Sequence, residues 1–189
     1  SGPHAIAARR RAAMIRGCVV LVCCLLGGCA FFQPRHNPHV PAPARSVDLS
    51  RYLGHWYEMA RYDSSFEHDC EAATAVYTRR ADGLIGVVNS CHRGAPDGPL
   101  ETVHGRAYVQ PDSGDTRLKI SFFGPFFVGS YWVLDHGADY EWSIVGEPSG
   151  GYLWILTRAR HPSPALRAAL IARAGALGYD TSRLHTTLQ

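Results

Sequence analysis

From His55 onward, runs of β-branched and aromatic residues recur roughly every 8 to 15 residues, with Gly, Asp and Pro between them. Chain broken up this often cannot build long helices, so the pattern confines it to a sheet wound through many short strands, as a sandwich or a barrel. Strands are predicted over 55–62, 72–79, 84–91, 101–110, 116–123, 129–135, 140–147 and 152–158. Ala81-Asp82-Gly83, 111–115 and 136–138 read as tight turns, whereas 63–71, 92–100 and 124–128 are longer or less regular. In an up-and-down meander every second connection falls at the same end. The tight turns then close one end and the longer connections frame the other. The expectation is an all-β fold, an eight-stranded antiparallel up-and-down β-barrel shaped as a cup.

Charge phasing predicts which side chains face inward. With Arg117 and Lys119 outside, Leu118, Ile120 and Phe122 point in; with His104 and Arg106 outside, Val103, Gly105 and Ala107 point in. The same period of two assigns Ala75, Tyr77, Val87, Asn89, Tyr131, Val133, Ser143, Val145, Tyr152 and Trp154 to the interior. Small inward residues such as Ala75, Gly105, Ala107 and Ser143 suggest a cavity for one small ligand. Glu58 shares strand parity with Trp56. It reads either as a structural buried acid or as a polar contact for a head group.

After the last strand, Ser163-Pro164 opens a helix with Ser as N-cap and Pro at the first position. Leu166, Leu170, Ala174 and Leu177 fall on one stripe, and Gly178 ends it. This helix is predicted to pack outside the barrel, and the tail 183–188 to add a short strand.

The amino-terminal part obeys different rules. Arg9, Arg10, Arg11 and Arg16 precede the apolar run 18–26 and then Gly27-Gly28-Cys29, the order of a targeting signal, with Met14 a candidate start. An apolar stretch this short cannot span a hydrocarbon core about 30 Å thick. Leu26-Gly27-Gly28-Cys29 resembles the bacterial lipobox, which implies cleavage before Cys29 and acylation of that cysteine; an ordinary secretory signal is the alternative. Residues 1–28 are thus assigned as upstream sequence and lipoprotein signal. Residues 29–46, with Pro34, Pro38, Pro41 and Pro43, are assigned as lipidated cysteine and extended tether, and 47–189 as the folded domain. Four of the 19 basic residues lie in the leader, so the chain from Cys29 on has 15 basic against 16 acidic residues. The formal charge of +3 belongs to the signal, and no nucleic-acid partner is expected.

Gly54-His55-Trp56-Tyr57 at the first strand, Asp139-Tyr140 before the seventh and Arg158 closing the eighth resemble the three signature positions of the lipocalins. Val145-Gly146-Glu147-Pro148 and Tyr152-Leu153-Trp154-Ile155-Leu156 are similar to the bacterial outer-membrane lipoprotein branch of that family. The resemblance runs from Asp48 to about Gln189; Ala138 departs from it, standing where many lipocalins place Thr. It implies a calyx with Gly54, Trp56, Asp139, Tyr140 and Arg158 in structural roles. Trp56 would plug the closed end beneath the Arg158 guanidinium. It also implies a fatty acid, phospholipid or lysophospholipid in the lumen of an outer-membrane protein that faces the periplasm, held to the membrane through acylated Cys29. A homodimer is known in that branch, although the sequence carries no signature of one.

With Cys18, Cys23 and Cys24 in the leader and Cys29 as anchor, Cys70 and Cys91 remain, nearly opposite each other across a hairpin. They read either as a disulfide, which requires an oxidising compartment, or as the source of a reactive thiol in the cup. The ten histidines show no metal-ligand spacing, and no metal site or cofactor is expected. No G-x-S-x-G, nucleotide loop or paired-carboxylate motif appears, so binding and transport is favoured over catalysis. An enzyme on the same scaffold and a filled-barrel interaction protein are the alternatives. Phe122-Phe123-Gly124-Pro125-Phe126-Phe127 sets four aromatics at the rim, as ordinary loop packing or as an apolar gate that contacts acyl chains or a bilayer.

Overall fold

The computed structural model describes residues 37–189. The predicted leader, Cys29 and the start of the tether lie outside the described residues. Within them, a short helix α1 (Leu49–Tyr52) precedes eight strands: β1 (Gly54–Tyr62), β2 (Cys70–Arg79), β3 (Ile85–Arg93), β4 (Leu100–Val109), β5 (Arg117–Ser121), β6 (Gly129–His136), β7 (Trp142–Gly146) and β8 (Leu153–Thr157). Helix α2 (Pro164–Ala176), a 3₁₀ turn (Thr181–Arg183) and strand β9 (Leu184–Thr186) complete the chain. Each strand pairs antiparallel with the next, and β8 returns to β1, closing an eight-stranded barrel with α2 packed outside.

Strand β1 is the seam. On one side it pairs with β8 through Tyr57–Arg61. On the other, Gly54–Tyr57 pair with β2, and Ala60–Tyr62 pair instead with β9, which enters where β2 bends away. A bulge between Glu58 and Ala60 breaks the alternation: Glu58 faces the lumen, Met59 and Ala60 both pack toward α2, and Arg61 faces inward again opposite Trp154.

The base of the cup is sealed by the signature residues. Trp56 is fully buried and donates from Nε1 to the Tyr52 carbonyl at 2.9 Å, with the Arg158 guanidinium 3.7 Å from its ring centroid. Arg158 also donates to the carbonyls of His55 (2.7 Å), Arg51 (2.8 Å), Tyr52 (3.0 Å) and Leu53 (3.0 Å). One cation thereby satisfies the free carbonyls at the end of α1 and covers the indole. The sequence shows no periodicity for α1, because four residues make only one turn; Asp48 caps it, accepting from the Ser50 N–H.

Residues 37–46 differ from the predicted extended tether, for they are folded onto the barrel. Asn37 is buried, Ala44 N–H donates to the Leu134 carbonyl, and Val47 N–H to that of Gly114. The Asp135 carboxylate, 3% exposed, pairs with Arg45 of this segment (3.1 Å) and Arg173 of α2 (2.8 Å), fastening both to β6. Cys70 and Cys91 form a disulfide, with sulfurs 2.01 Å apart and a sequence separation of 21. Reduction is expected to lower stability by about 3 kcal/mol in the chain-entropy picture, read as a lower denaturation midpoint. Arg158→Ala is expected to lower it by a similar ~3 kcal/mol, because ion-assisted hydrogen bonds and the indole contact are lost together. In the same denaturation assay, Arg158→Lys should recover less than half of that loss, since an ammonium lacks the planar fork.

Candidate functional site

The lumen divides into an apolar lower half and a charged upper half. Ala75, Tyr77, Val87, Ala107, Tyr131, Val133 and Val145 are buried in the inner core with Trp56, and Ile120 and Trp154 pack against it. Ser143, fully buried, lies 2.9 Å from the Tyr52 hydroxyl, which is 2.7 Å from that of Tyr131. Burial pushes the Tyr52 phenol up to about 12, so it stays a neutral hydrogen-bonding group.

The cavity expected from the small inward residues is narrow in the docked state. The space left among Leu49, Leu53, Tyr77, Ile85, Leu118 and their neighbours is about 10 Å³, about the room one water needs. Small side chains do not leave space here because large ones fill it. The Tyr52 ring closes over Ser143, Tyr77 and Tyr131 pack at 5.8 Å, and a Cβ on Gly105 would stand 2.7 Å from Phe122.

Three predicted lining residues sit at the rim instead. Val103 is 52% exposed, because β5 pairs with β4 only from Arg106 onward and leaves the mouth-side half of β4 without that neighbour. Phe122, 39% exposed, lies just past the end of β5, folded against Gly105. Tyr152 precedes β8 and stacks between Phe66 and Trp154 at 5.7 Å from each. Asn89 stays on the lumen strand face opposite Ala75, and its Oδ1 is buried without a hydrogen-bond partner among the described residues.

The upper half holds a charge network that sequence reading found only in part. Glu58 is buried and pairs with Arg61 at 2.9 Å; Thr187 of the carboxy-terminal tail donates to the same carboxylate oxygen. Arg61, 1% exposed, donates further to the carbonyls of Cys70 (2.9 Å) and Glu67 (2.8 Å) and to the Asp63 carboxylate (3.2 Å). The β1–β2 connection, 63–69, thus folds down as a lid. Glu67 accepts from the Trp154 indole at 2.9 Å, and Phe66 covers Tyr152. Arg61 was missed because the bulge shifts it out of phase with Trp56. Glu67 was missed because a loop has no period to read.

Burial and the negative charge of Glu58 push the Glu67 carboxyl up to about 8, against the pull of the Trp154 hydrogen bond and the Arg61 charge. The docked lid therefore holds a proton that a free lid releases near the ordinary glutamate value. Docking is favoured at low pH and weakens as pH rises toward 8, beyond which the loss is complete. Acrylamide quenching of Trp154, read in a chain where it is the one tryptophan exchanged for Phe in a difference measurement, is expected to increase from pH 5 to pH 8. Glu67→Gln should flatten most of that rise.

A meander closed into an eight-stranded cup, plugged by Trp beneath Arg and roofed by one loop, defines a one-mouthed antiparallel barrel. Comparison with known proteins gives this class a family. The family model described as "Lipocalin-like domain" matches residues 47–189. "Outer membrane lipoprotein Blc" of Escherichia coli (strain K12) is 39% identical over 150 residues, covering 76% of this chain and 83% of that protein. The protein of the same description from Vibrio cholerae is 37% identical over 169 residues, covering 88% and 94%. Among solved structures, insecticyanin from the tobacco hornworm Manduca sexta superposes with a TM-score of 0.63 at 22% identity, over 82% of this chain and 86% of that one. The chain belongs to the lipocalins.

Proposed function

We propose that this protein is an outer-membrane lipoprotein, anchored through acylated Cys29 after removal of residues 1–28, that binds and stores or transports a lipid in envelope maintenance. The barrel faces the periplasm and breaks no bond. The observation that carries the reading is an apolar lumen, sealed at its base by Trp56, beneath a mouth that holds the buried Arg61–Glu58 pair. A fatty acid, phospholipid or lysophospholipid suits both halves. Its chain lies against Tyr77, Val87, Ile120 and Tyr131, and its head group exchanges with the lid carboxylates for Arg61. The names of the Escherichia coli and Vibrio cholerae relatives support the location. The disulfide fits an oxidising compartment.

Entry requires the lid and Phe122 to withdraw, since in the docked state the pocket among Tyr52, Tyr77, Ile120 and Tyr131 holds about 10 Å³. Each methylene then buried contributes ~0.8 kcal/mol, so about fifteen of them, ~12 kcal/mol in all, offset an ordering cost of ~4 kcal/mol and still reach micromolar affinity. Delipidated protein titrated with a fluorescent fatty acid or lysophospholipid is expected to bind with a micromolar or lower Kd. Trp154→Phe should weaken binding more than Trp132→Phe, because Trp154 packs on the inner core whereas Trp132 packs on the outer one beneath Arg117. The same small cavity favours one competing reading, a filled barrel that acts through its surface. Flat titrations with every acyl ligand select that one.

A further inference from the structure

The place where the chain enters the barrel carries an orientation. Asn37 does not join the domain at the base, where 47–53 build the plug. Its N–H donates to the carbonyl of Gly150 in the β7–β8 connection (3.2 Å), and its side chain donates to the Leu177 carbonyl (2.9 Å). That connection, with 63–69, 94–99 and 122–128, forms the mouth, while 80–84, 110–116 and 137–141 form the base. The site is built for this residue. Gly150 and Gly178 both have positive φ, and Asn37 lies so close that a Cβ on Gly150 would collide with its carbonyl. From there residues 38–47 run down the outside of the wall to α1.

Only eight residue steps separate Cys29 from Asn37, a reach of at most about 28 Å. The nine residues of β1, at about 3.3 Å each and tilted by roughly 40°, make the wall about 23 Å tall. A membrane-held Cys29 could bring the base to the bilayer only with the link drawn nearly taut along the barrel. With the mouth down, the link is slack.

The surface at the mouth matches what it would then meet. Phe123, Phe126 and Val128 are 85%, 71% and 83% exposed, and Leu100 and Val103 across the rim are 63% and 52% exposed. The rim loop 122–128 has no acidic residue, and Lys119 and Arg106 on the strands beneath it are basic. Arg106 donates to the Gly124 carbonyl and lies over Phe127, which sets a cation beside the apolar tip. An apolar tip backed by cations suits the interface of a bilayer containing anionic lipid.

We infer that the protein stands mouth-down on its own membrane, with the 122–128 loop inserted among lipid head groups, so that lipid passes between bilayer and lumen without crossing water. This rests on Cys29 being the acyl anchor, as proposed above. The test uses the full acylated chain on vesicles of phosphatidylethanolamine and phosphatidylglycerol. Fluorophores are placed at Val128→Cys on the rim and at Ala81→Cys on the base, and quenched by lipids carrying nitroxide near the head group. Quenching at least fivefold stronger at residue 128 than at 81 is expected; equal or base-favoured quenching overturns the orientation. Flotation with vesicles, compared with Cys29→Ser, separates the two ideas. A full chain that fails to float defeats the anchor and the orientation with it, whereas one that floats with the rim unquenched defeats the orientation alone. The double variant Phe123→Ser, Phe126→Ser is expected to melt like the parent and to keep its affinity for lysophospholipid in vesicle-free buffer. Its uptake of that lipid from vesicles should slow at least fivefold. An unchanged rate overturns the insertion.

Discussion

The barrel depends on the Arg158 guanidinium. A cup needs one end that cannot open, yet strands brought together at a base leave a large aromatic ring and the carbonyls of a one-turn helix facing water. Arg158 meets both needs from the first residue beyond β8, covering Trp56 with its flat face and donating at its edge to carbonyls of α1 and β1. The end of the meander is thereby locked to its beginning. Asp139 and Tyr140 work from the opposite side: Arg51 pairs with Asp139 and lies over Tyr140, whose hydroxyl accepts from the Asp48 N–H that starts α1. The three signature segments are one joint, and the mouth is free to vary because the base is not.

The upper half of the lumen is organised by the opposite physics. Buried charges normally cost stability unless paired and hydrogen-bonded, and here Arg61 is surrounded by acceptors from β1, β2, the lid and the carboxy-terminal tail. Such a network holds the lid through polar bonds that another anion could replace, whereas an apolar lid would have no reason to release. The aromatic stack Phe66–Tyr152–Trp154 adds area to the closed state without fixing it covalently.

Much of this was legible in the sequence because strands of alternating residues declare their faces. Ala75, Tyr77, Val87, Ala107 and Tyr131 follow the period of two from turn to turn, and their lumen positions agree with it. The reading failed where the period does. Strand β1 contains a bulge, so Arg61 falls out of phase with Trp56 and Glu58; Glu67 and Phe66 lie in a loop; Val103 keeps its parity but loses its neighbour as β5 ends. The Pro-rich stretch 38–46 looked like a linker, because its attachment relies on backbone hydrogen bonds and on Asp135, which signal nothing in a local window. The cavity was overestimated for a related reason. A small residue in one strand says nothing of the ring that a distant strand or helix lays over it.

The seam at β1 bears on how the chain reaches this state. Thr187 meets Glu58 across 129 positions of sequence, and Gln189 reaches the carbonyls of Glu58 and Ala73. Hairpins such as β2–β3 can form early and locally, but the ring closes only when both ends of the domain meet, a contact of high sequence separation that makes folding slow. Until then the lumen strands expose an unpaired edge capable of joining another chain. The chain therefore meets its greatest hazard of association just before its two ends meet and the ring closes.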